Sequence, residues 1–338
     1  MADAPRIAVL GAGSVGCFIG GAWQAKGLPV TFIGRQKLAE DVASNGLTVS
    51  DYSGWHRHFE PAEVDYATGP ERLGEAEIIA LCVKSAATAD AARDIAAHAR
   101  DGALVISFQN GISNVAVLEA ELGDRFAVVR GMVPYNCAYL GEGRFHKGVA
   151  GASLYAEDRP ETRAVAERIG PGPAALQLAD DMLGIAWGKL LINLNNAVNA
   201  LSGRPLRAEI SERDYRRVFA AAMREGLAIL DRGGIRPAKV GAVGPRLMPF
   251  VIGSPDWLFN RLFIKSWKID AKARSSMSDD LAQARRTEVD YINGELVALA
   301  ERVGADAPVN RRIVELIRKA EAGAPPLGPA ELRRAVLG

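Results

Sequence analysis

Apolar residues fall along the chain in two regimes. Up to about residue 180 they come as short runs, Arg6 to Leu10, Val30 to Ile33, Glu77 to Val83 and Ala103 to Phe108, each bounded by Gly, Pro or polar turn residues. Between the runs lie stretches with helical spacing, expected as helices over Ser14 to Lys26, closed by Gly27, and over Ala86 to Arg100. Apolar strands alternating with helices predict a parallel sheet covered on both faces. Phe126 to Val129, Val133 to Tyr139 and Ala152 to Ala156 are expected as further strands, more antiparallel, extending that sheet. After the punctuation of Gly170 to Pro173 and one short strand the pattern turns helical almost to the end. This predicts an α/β domain over residues 1–179 and a helical domain over 180–338.

A chain of 338 residues is long enough for two domains with a core in each. Its 41 Lys plus Arg against 40 Asp plus Glu leave no basic excess, so nucleic acid is not expected as a main partner. The uncharged stretch Ile7 to Ala25 would suit a signal peptide or membrane span, but Gly11, Gly13, Gly16, Gly20 and Gly21 interrupt it. Neither export nor membrane insertion is expected. Cys17, Cys82 and Cys137 are odd in number and far apart in sequence, with no C-x-x-C pair, which favours a reduced, cytoplasmic setting without structural zinc. His56 and His58 sit two apart in an expected strand with no third ligand nearby and read as surface residues, not a metal site.

The first strand runs into Gly11, Ala12, Gly13, Ser14, Val15 and Gly16, a G-x-G-x-x-G opening a helix. Each glycine has its own use. Gly11 allows the tight turn, Gly13 lets backbone approach a pyrophosphate, Gly16 lets the helix pack on the strand, and the free N–H groups of the first helical turn bind phosphate. The second strand ends in Arg35 and Lys37, with no acid before Glu40, so a ribose 2′-phosphate is favoured over a free 2′-hydroxyl and NADP(H) over NAD(H). An Arg35 facing solvent is the alternative. Lys84 and Asn110 lie at the carboxyl ends of strands, where parallel sheets bind ligands. Both are candidates to touch cofactor or substrate, with turn or capping roles as the alternative, above all for Asn110 before Gly111.

In the helical half, the segment Asp181 to Leu201 carries Lys189, Asn193 and Asn196. At about 100° per residue, and with Lys189 at zero, Asn193 falls at about 40° and Asn196 at about 340°, one face, whereas Asn195 at about 240° and Asn199 at about 280° lie off it. An ammonium and two carboxamides on an otherwise apolar helix point to a polar ligand; an amide ladder between helices is the alternative. Farther on, a long helix is expected from Ser276; Ser276 with Asp279 matches a capping box, and Glu288 among Arg285, Arg286 and Asp290 reads as an ordinary charged face, so the pattern alone leaves both residues open between these structural roles and ligand binding.

Taken together, "GAGSVG", "CVKS", "QNG", "WGKLLIN" and "RSSMSDDL" followed by "RRTEVDYINGE" resemble the ketopantoate reductase family (2-dehydropantoate 2-reductases) over nearly the whole chain. The resemblance implies an N-terminal Rossmann domain, a helical domain like the C-terminal one of 6-phosphogluconate dehydrogenase, and a cleft for NADPH and a 2-oxo acid. It implies Lys189 as proton donor, Asn193 as a substrate ligand, Ser276 on the substrate carboxylate, Glu288 as an acid near substrate and cofactor, and Lys84 and Asn110 lining the cofactor, Asn110 also toward substrate; Asn196 is a candidate substrate ligand from its helical position alone. The expected activity is NADPH-dependent reduction of 2-dehydropantoate in pantothenate and coenzyme A synthesis. Two departures stand out. Many members place a second Asn followed by Pro eight residues after the lysine, where this chain has Ala197, and Asn196 comes one residue early. The stretch Gly241 to Ser266 is apolar and longer than the minimal family pattern, and is expected to reshape the pocket or join two subunits as a homodimer, with Leu258 and Phe259 at the contact. Readings left open are a reductase of another 2-oxo or 3-hydroxy acid, and a non-catalytic NADPH-binding regulator.

Overall fold

The computed structural model describes residues 5–148, 153–241, 243–261 and 273–338. The chain forms two compact units, Met1–Met182 and Leu183–Gly338. In the first, strand β1 (Ile7–Leu10) leads through the glycine turn into helix α1 (Ser14–Gln24), then β2 (Val30–Ile33) and α2 (Gln36–Asn45). A hairpin of β3 (Leu47–Asp51) and β4 (His56–Phe59) precedes β5 (Asp65–Ala67). There follow β6 (Ile78–Leu81), α3 (Thr88–His98), β7 (Leu104–Ser107), α4 (Asn114–Leu122), β8 (Ala127–Met132), β9 (Cys137–Tyr139), β10 (Arg144–Lys147), β11 (Leu154–Glu157), α5 (Pro160–Ile169) and β12 (Leu176–Ala179).

The main sheet has the order β12-β11-β8-β7-β6-β1-β2-β5. From β5 to β8 every pair is parallel, with Ile7 of β1 level with Val30 and Ile78. Chain direction across the sheet reverses between β1 and β6, the switch point where such sheets bind ligands. Alternate residues of β1 feed opposite cores: Ile7 and Val9 pack with Phe18, Trp23 and Phe32, whereas Ala8 and Leu10 pack with Ile79, Ile95 and Val105. Burial on both faces is why these strands read as continuous apolar runs. It also accounts for the uncharged Ile7 to Ala25 stretch, which is a buried strand and a buried helix. Among the described residues no helix is long and apolar enough to cross a membrane.

Several expectations need correction. β8 pairs parallel with β7, and only β11 joins it antiparallel. Val133 to Tyr139 does not extend the main sheet: β8 ends at Met132, before Pro134, which has no N–H for a ladder. Of that stretch only β9 is strand, in a separate sheet of order β4-β3-β10-β9. The strand expected at Ala152 begins at Leu154, residues 149–152 lying outside the described ones. His56 and His58 are exposed on β4, with His58 Nδ1 bonded to Thr48 Oγ1 at 2.8 Å.

The second unit is helical. Its elements are α6 (Met182–Asn193), α7 (Asn195–Ser202), α8 (Leu206–Ser211), α9 (Arg213–Arg232), α10 (Met248–Ile252), α11 (Asp256–Phe259), α12 (Ser276–Ala282), α13 (Asn293–Arg302), α14 (Pro308–Glu321) and α15 (Pro329–Leu337). The single helix expected from Asp181 to Leu201 is interrupted at Leu194, and the long helix expected from Ser276 stops at Ala282, with Ala284 at φ 50°. Within the apolar stretch, Phe259 is not a contact residue: it is buried beneath the Arg216 guanidinium, 4.2 Å from the ring centroid. Leu247, Phe250 and Trp257 are the exposed apolar side chains there, while 242 and 262–266 lie outside the described residues.

Candidate active site

The glycine turn is built as its sequence demands. Gly11 has φ 97°, and Gly11 N and Ala12 N both donate to Ile33 O at 2.9 Å, tying the end of β1 to the end of β2. A Cβ on Gly11 would stand 2.5 Å from Val83 N, so the turn rests directly on the backbone that leaves β6. A Cβ on Gly16 would stand 2.5 Å from Gly11 O and 2.9 Å from Val9 Cγ1, so α1 reaches β1 only because that position has no side chain. Gly13 is different: a Cβ there would meet nothing within 4 Å. Behind it, Ser14 and Val15 open α1, whose first N–H groups lack intrahelical partners. A backbone cradle, open above Gly13 and facing a helix N-terminus, fits the pyrophosphate of a dinucleotide.

Arg35 stands exposed at the carboxyl end of β2, where it precedes α2, close enough to act on the phenol of Tyr66. Tyr66 was not singled out from the sequence. It stacks on Phe32 at 6.2 Å and its hydroxyl donates to Ala12 O at 2.9 Å, bracing the turn from β5. No local pattern announces it, since β5 is only three residues long.

Lys84, exposed, follows β6 and precedes the 3-10 turn Ser85–Ala87; Asn110 follows β7. The two segments are stitched together. Ser85 Oγ donates to Asn110 O at 2.9 Å, Thr88 Oγ1 to Asn114 Oδ1 at 2.8 Å, and Gln109 Nε2 to Thr88 Oγ1 at 2.8 Å. The structure therefore gathers the glycine turn, Arg35, Lys84 and Asn110 at the carboxyl ends of four neighbouring strands. A concavity of about 400 Å³ lined by Arg6, Thr31, Asp65 and Arg72 opens instead toward the start of β1 and β2. Both of its arginines are already paired, Arg6 with Glu75 and Arg72 with Asp65, and it lies at the wrong end of the sheet for a nucleotide. All three cysteines are free thiols, and burial pushes Cys82 and Cys137 up to about 12, which makes them poor nucleophiles.

In the helical unit Lys189 lies on α6 between buried Gly188 and Leu190. Gly188 lets the 238–240 segment pack onto the helix, because a Cβ there would collide with Ala238 O, and Ala238 N donates to Gly184 O at 2.8 Å. Lys189 is itself half-buried, and desolvation pushes its ammonium down from 10.5 to about 8. Such a group still carries its proton at neutral pH but releases it far more readily than a surface lysine. Asn193 closes α6 and Asn196 lies in the first turn of α7, both half-buried.

Ser276 is exposed at the first position of α12 and is not the cap. Ser275 is, its Oγ accepting from Ser278 N at 3.1 Å and donating to Asn196 O at 3.1 Å. The structure thus ties the backbone at Asn196 to the residue that precedes Ser276. Glu288, half-buried, heads the 3-10 turn Val289–Tyr291 instead of standing on the helix of Ser276. Asn195 and Asn199, set apart by their angle, turn into the core: Asn195 Nδ2 donates to Glu209 Oε2 at 3.1 Å, and Asn199 Oδ1 accepts from Ser275 N at 3.0 Å. Among the described residues no group of three or more His, Cys, Asp or Glu is placed to hold a metal.

Comparison with known proteins adds four findings. Residues 7–158 match the family model for ketopantoate reductase PanE/ApbA, and residues 181–321 match the model for its C-terminal part. A 2-dehydropantoate 2-reductase of Halobacterium salinarum is 28% identical over 322 residues, covering 94% of this chain and 99% of that one. The crystal structure of a PanE/ApbA family ketopantoate reductase from Ralstonia eutropha JMP134 superimposes with a TM-score of 0.79 at 25% identity, covering 94% of this chain and 98% of that one. The ternary structure of a D-mandelate dehydrogenase with NADH and anilino(oxo)acetate, 17% identical, shares the fold with a TM-score of 0.76 over 94% of this chain and 98% of that one.

Proposed function

The chain belongs to the ketopantoate reductase family, and from that premise we propose that it reduces 2-dehydropantoate to pantoate with NADPH, a step of pantothenate and coenzyme A synthesis. The observation that carries the chemistry is Lys189, an ammonium kept in an apolar helix with its pKa lowered to about 8. The cradle of Gly11 to Gly16 fits the pyrophosphate of the cofactor, with Lys84 and Asn110 lining it and Arg35 on the 2′-phosphate. When bound, NADPH supplies the hydride that reduces C2 of the 2-oxo acid. Lys189 polarises the carbonyl oxygen and gives its proton to the alkoxide, so that C=O becomes CH–OH. A lowered pKa favours that transfer, and solvent restores the proton at neutral pH. Ser276 holds the substrate carboxylate, Asn193 and Asn196 its oxygens, and Glu288 stands by substrate and cofactor. Residues 1–179 serve the nucleotide and 180–338 the substrate. The three free cysteines agree with a reducing, cytoplasmic setting.

One observation favours a second substrate. Ala197 stands where many members carry an asparagine, so a different 2-oxo acid is the alternative for the same machinery. The test is NADPH oxidation with ketopantoate beside a panel of 2-oxo acids and beside NADH. Fast, NADPH-selective turnover of ketopantoate supports the proposal, whereas turnover of another acid alone moves the substrate and keeps the mechanism. Arg35→Ala is expected to lower kcat/KM for NADPH about 10- to 150-fold and leave NADH nearly unchanged, the loss of one charge-assisted bond to phosphate. Equal loss with both cofactors would show that Arg35 does not read the 2′-phosphate.

A further inference from the structure

Glu209 of α8 has no exposed surface. Its Oε2 accepts from Asn195 Nδ2, and the cation that acts on it is Arg216 of α9, also fully buried. Arg216 has nothing left to give it. Nε donates to Ile252 O at 2.9 Å, Nη1 to Ile210 O at 3.1 Å and Ser211 O at 3.0 Å, and Nη2 to Ser254 O at 2.8 Å and Asp256 Oδ1 at 2.9 Å. That exhausts the five N–H groups of a guanidinium. Glu209 Oε1 and Asn195 Oδ1 are both buried and accept no hydrogen bond among the described residues. The other charged groups on the elements around α8 are engaged or outward. Glu212 pairs with Arg204, the Tyr215 hydroxyl donates to Leu327 O, Arg213 is exposed, and on α12 Asp279 is exposed and Asp280 pairs with Arg285. A carboxylate here would be a buried charge held by amides, so the neutral acid is favoured. Burial accordingly pushes Glu209 from 4.5 up to about 8, against the pull of Asn195, Asn199 and Arg216.

The same amides lead to the proposed substrate ligands. Asn199 lies one turn from Asn195 on α7, donates to Arg204 O at 3.0 Å and accepts from Ser275 N at 3.0 Å. Ser275 in turn donates to Asn196 O and precedes Ser276. We propose that Glu209 is a positioning residue: a neutral, buried acid that fixes α7 against the start of α12, so that its ionisation draws Asn196 and Ser276 out of register with the substrate. This rests on the substrate roles proposed above for those two residues.

The experiment compares wild type with Glu209→Gln, which keeps the shape and the neutral state, across pH 7 to 9. Lys189 titrates in both proteins, so the ratio of their ketopantoate KM values isolates Glu209. The wild-type KM is expected to rise about tenfold more than the variant's over that range, as for one inactivating ionisation near pH 8. The NADPH KM should follow one profile in both. A constant ketopantoate ratio overturns the proposal. Glu209→Ala, which removes the amide's partner, is expected to raise the ketopantoate KM about five- to tenfold already at pH 7, with kcat less affected.

Thermal melts give a reading free of activity. Between pH 4.5 and about 8 the native protein holds a proton on Glu209 that the unfolded chain has released. Native stability from this group is therefore complete below 4.5 and falls as pH rises toward 8. From pH 5 to 8 the wild type is expected to lose roughly 5–10 °C more in Tm than Glu209→Gln. Equal slopes overturn the proposal. Absence of ketopantoate turnover in the wild type at every pH would overturn the assigned substrate instead, and the melts would still decide whether Glu209 is held neutral.

Discussion

Lys189→Ala is expected to lower kcat with ketopantoate about 100-fold or more and to leave the Kd for NADPH within about twofold. In the proposed mechanism the ammonium acts on the carbonyl oxygen as charge builds there, whereas the proposed cofactor cradle is made of backbone in the other unit. Loss of an interaction made mainly in the transition state lowers kcat and kcat/KM together. The pH profile carries the same assignment. With Lys189 as the proposed acid of the step, activity should be full below about 8 and fall as pH rises through that value. In the alanine variant that alkaline limb should disappear from the residual rate. Burying this lysine also has a stability cost at neutral pH, because the native state binds its proton less tightly than the unfolded chain does between about 8 and 10.5. Lys189→Met, of similar volume, should therefore melt higher than wild type by roughly a few degrees while being as inactive as the alanine variant. Wild-type turnover in either variant would remove Lys189 from the chemistry.

What could be read from the sequence was what is decided locally. β2 spans the expected Val30 to Ile33 because an apolar run bounded by Pro29 and Gly34 leaves no freedom, and β1 with its glycine turn is a local motif throughout. What the sequence does not reveal depends on distant partners. Val133 to Tyr139 is apolar enough for the main sheet, but its last residues pair with β10, itself beside the β3–β4 hairpin, a choice no local pattern encodes. Gln283 to Arg286 are good helix formers, and yet Gln283 N and Arg285 N both turn back to Asp280 O, ending α12 where propensity would carry it on. Lys189, Asn193 and Asn196 could be picked out as candidates because polar residues in an apolar helical segment are conspicuous, although the break at Leu194 that puts Asn196 on a second helix is not announced by the pattern. Glu209 could not, since a lone acid in "RAEIS" has the look of surface charge until two amides of α7 are found against it. Phe259 and Trp257 show the same limit: two apolar neighbours on α11, one buried under Arg216 and one exposed.

Gly11→Ala and Gly13→Ala should fail in different ways, and the contrast tests the cofactor cradle. At Gly11 the backbone has φ 97° and an added Cβ would meet Val83 N at 2.5 Å, Cys82 C at 2.7 Å and Val83 Cα at 2.9 Å, all main chain. No side chain can swing aside to relieve that. The expected cost is about 2–5 kcal/mol, a fall of roughly 5–15 °C in Tm, with NADPH binding lost because the turn itself moves. At Gly13 the backbone has φ −97°, open to any L-residue, and the added methyl would meet no protein atom within 4 Å. Its stability should change by less than about 0.5 kcal/mol, as for an ordinary surface substitution. The methyl would instead occupy the space through which backbone approaches a pyrophosphate, so the KM for NADPH should rise about tenfold or more at nearly unchanged kcat. Calorimetry and a cofactor titration on the two variants separate the roles. If Gly13→Ala keeps both its Tm and its full NADPH affinity, the pyrophosphate does not lie on this turn, whatever the sequence motif suggests.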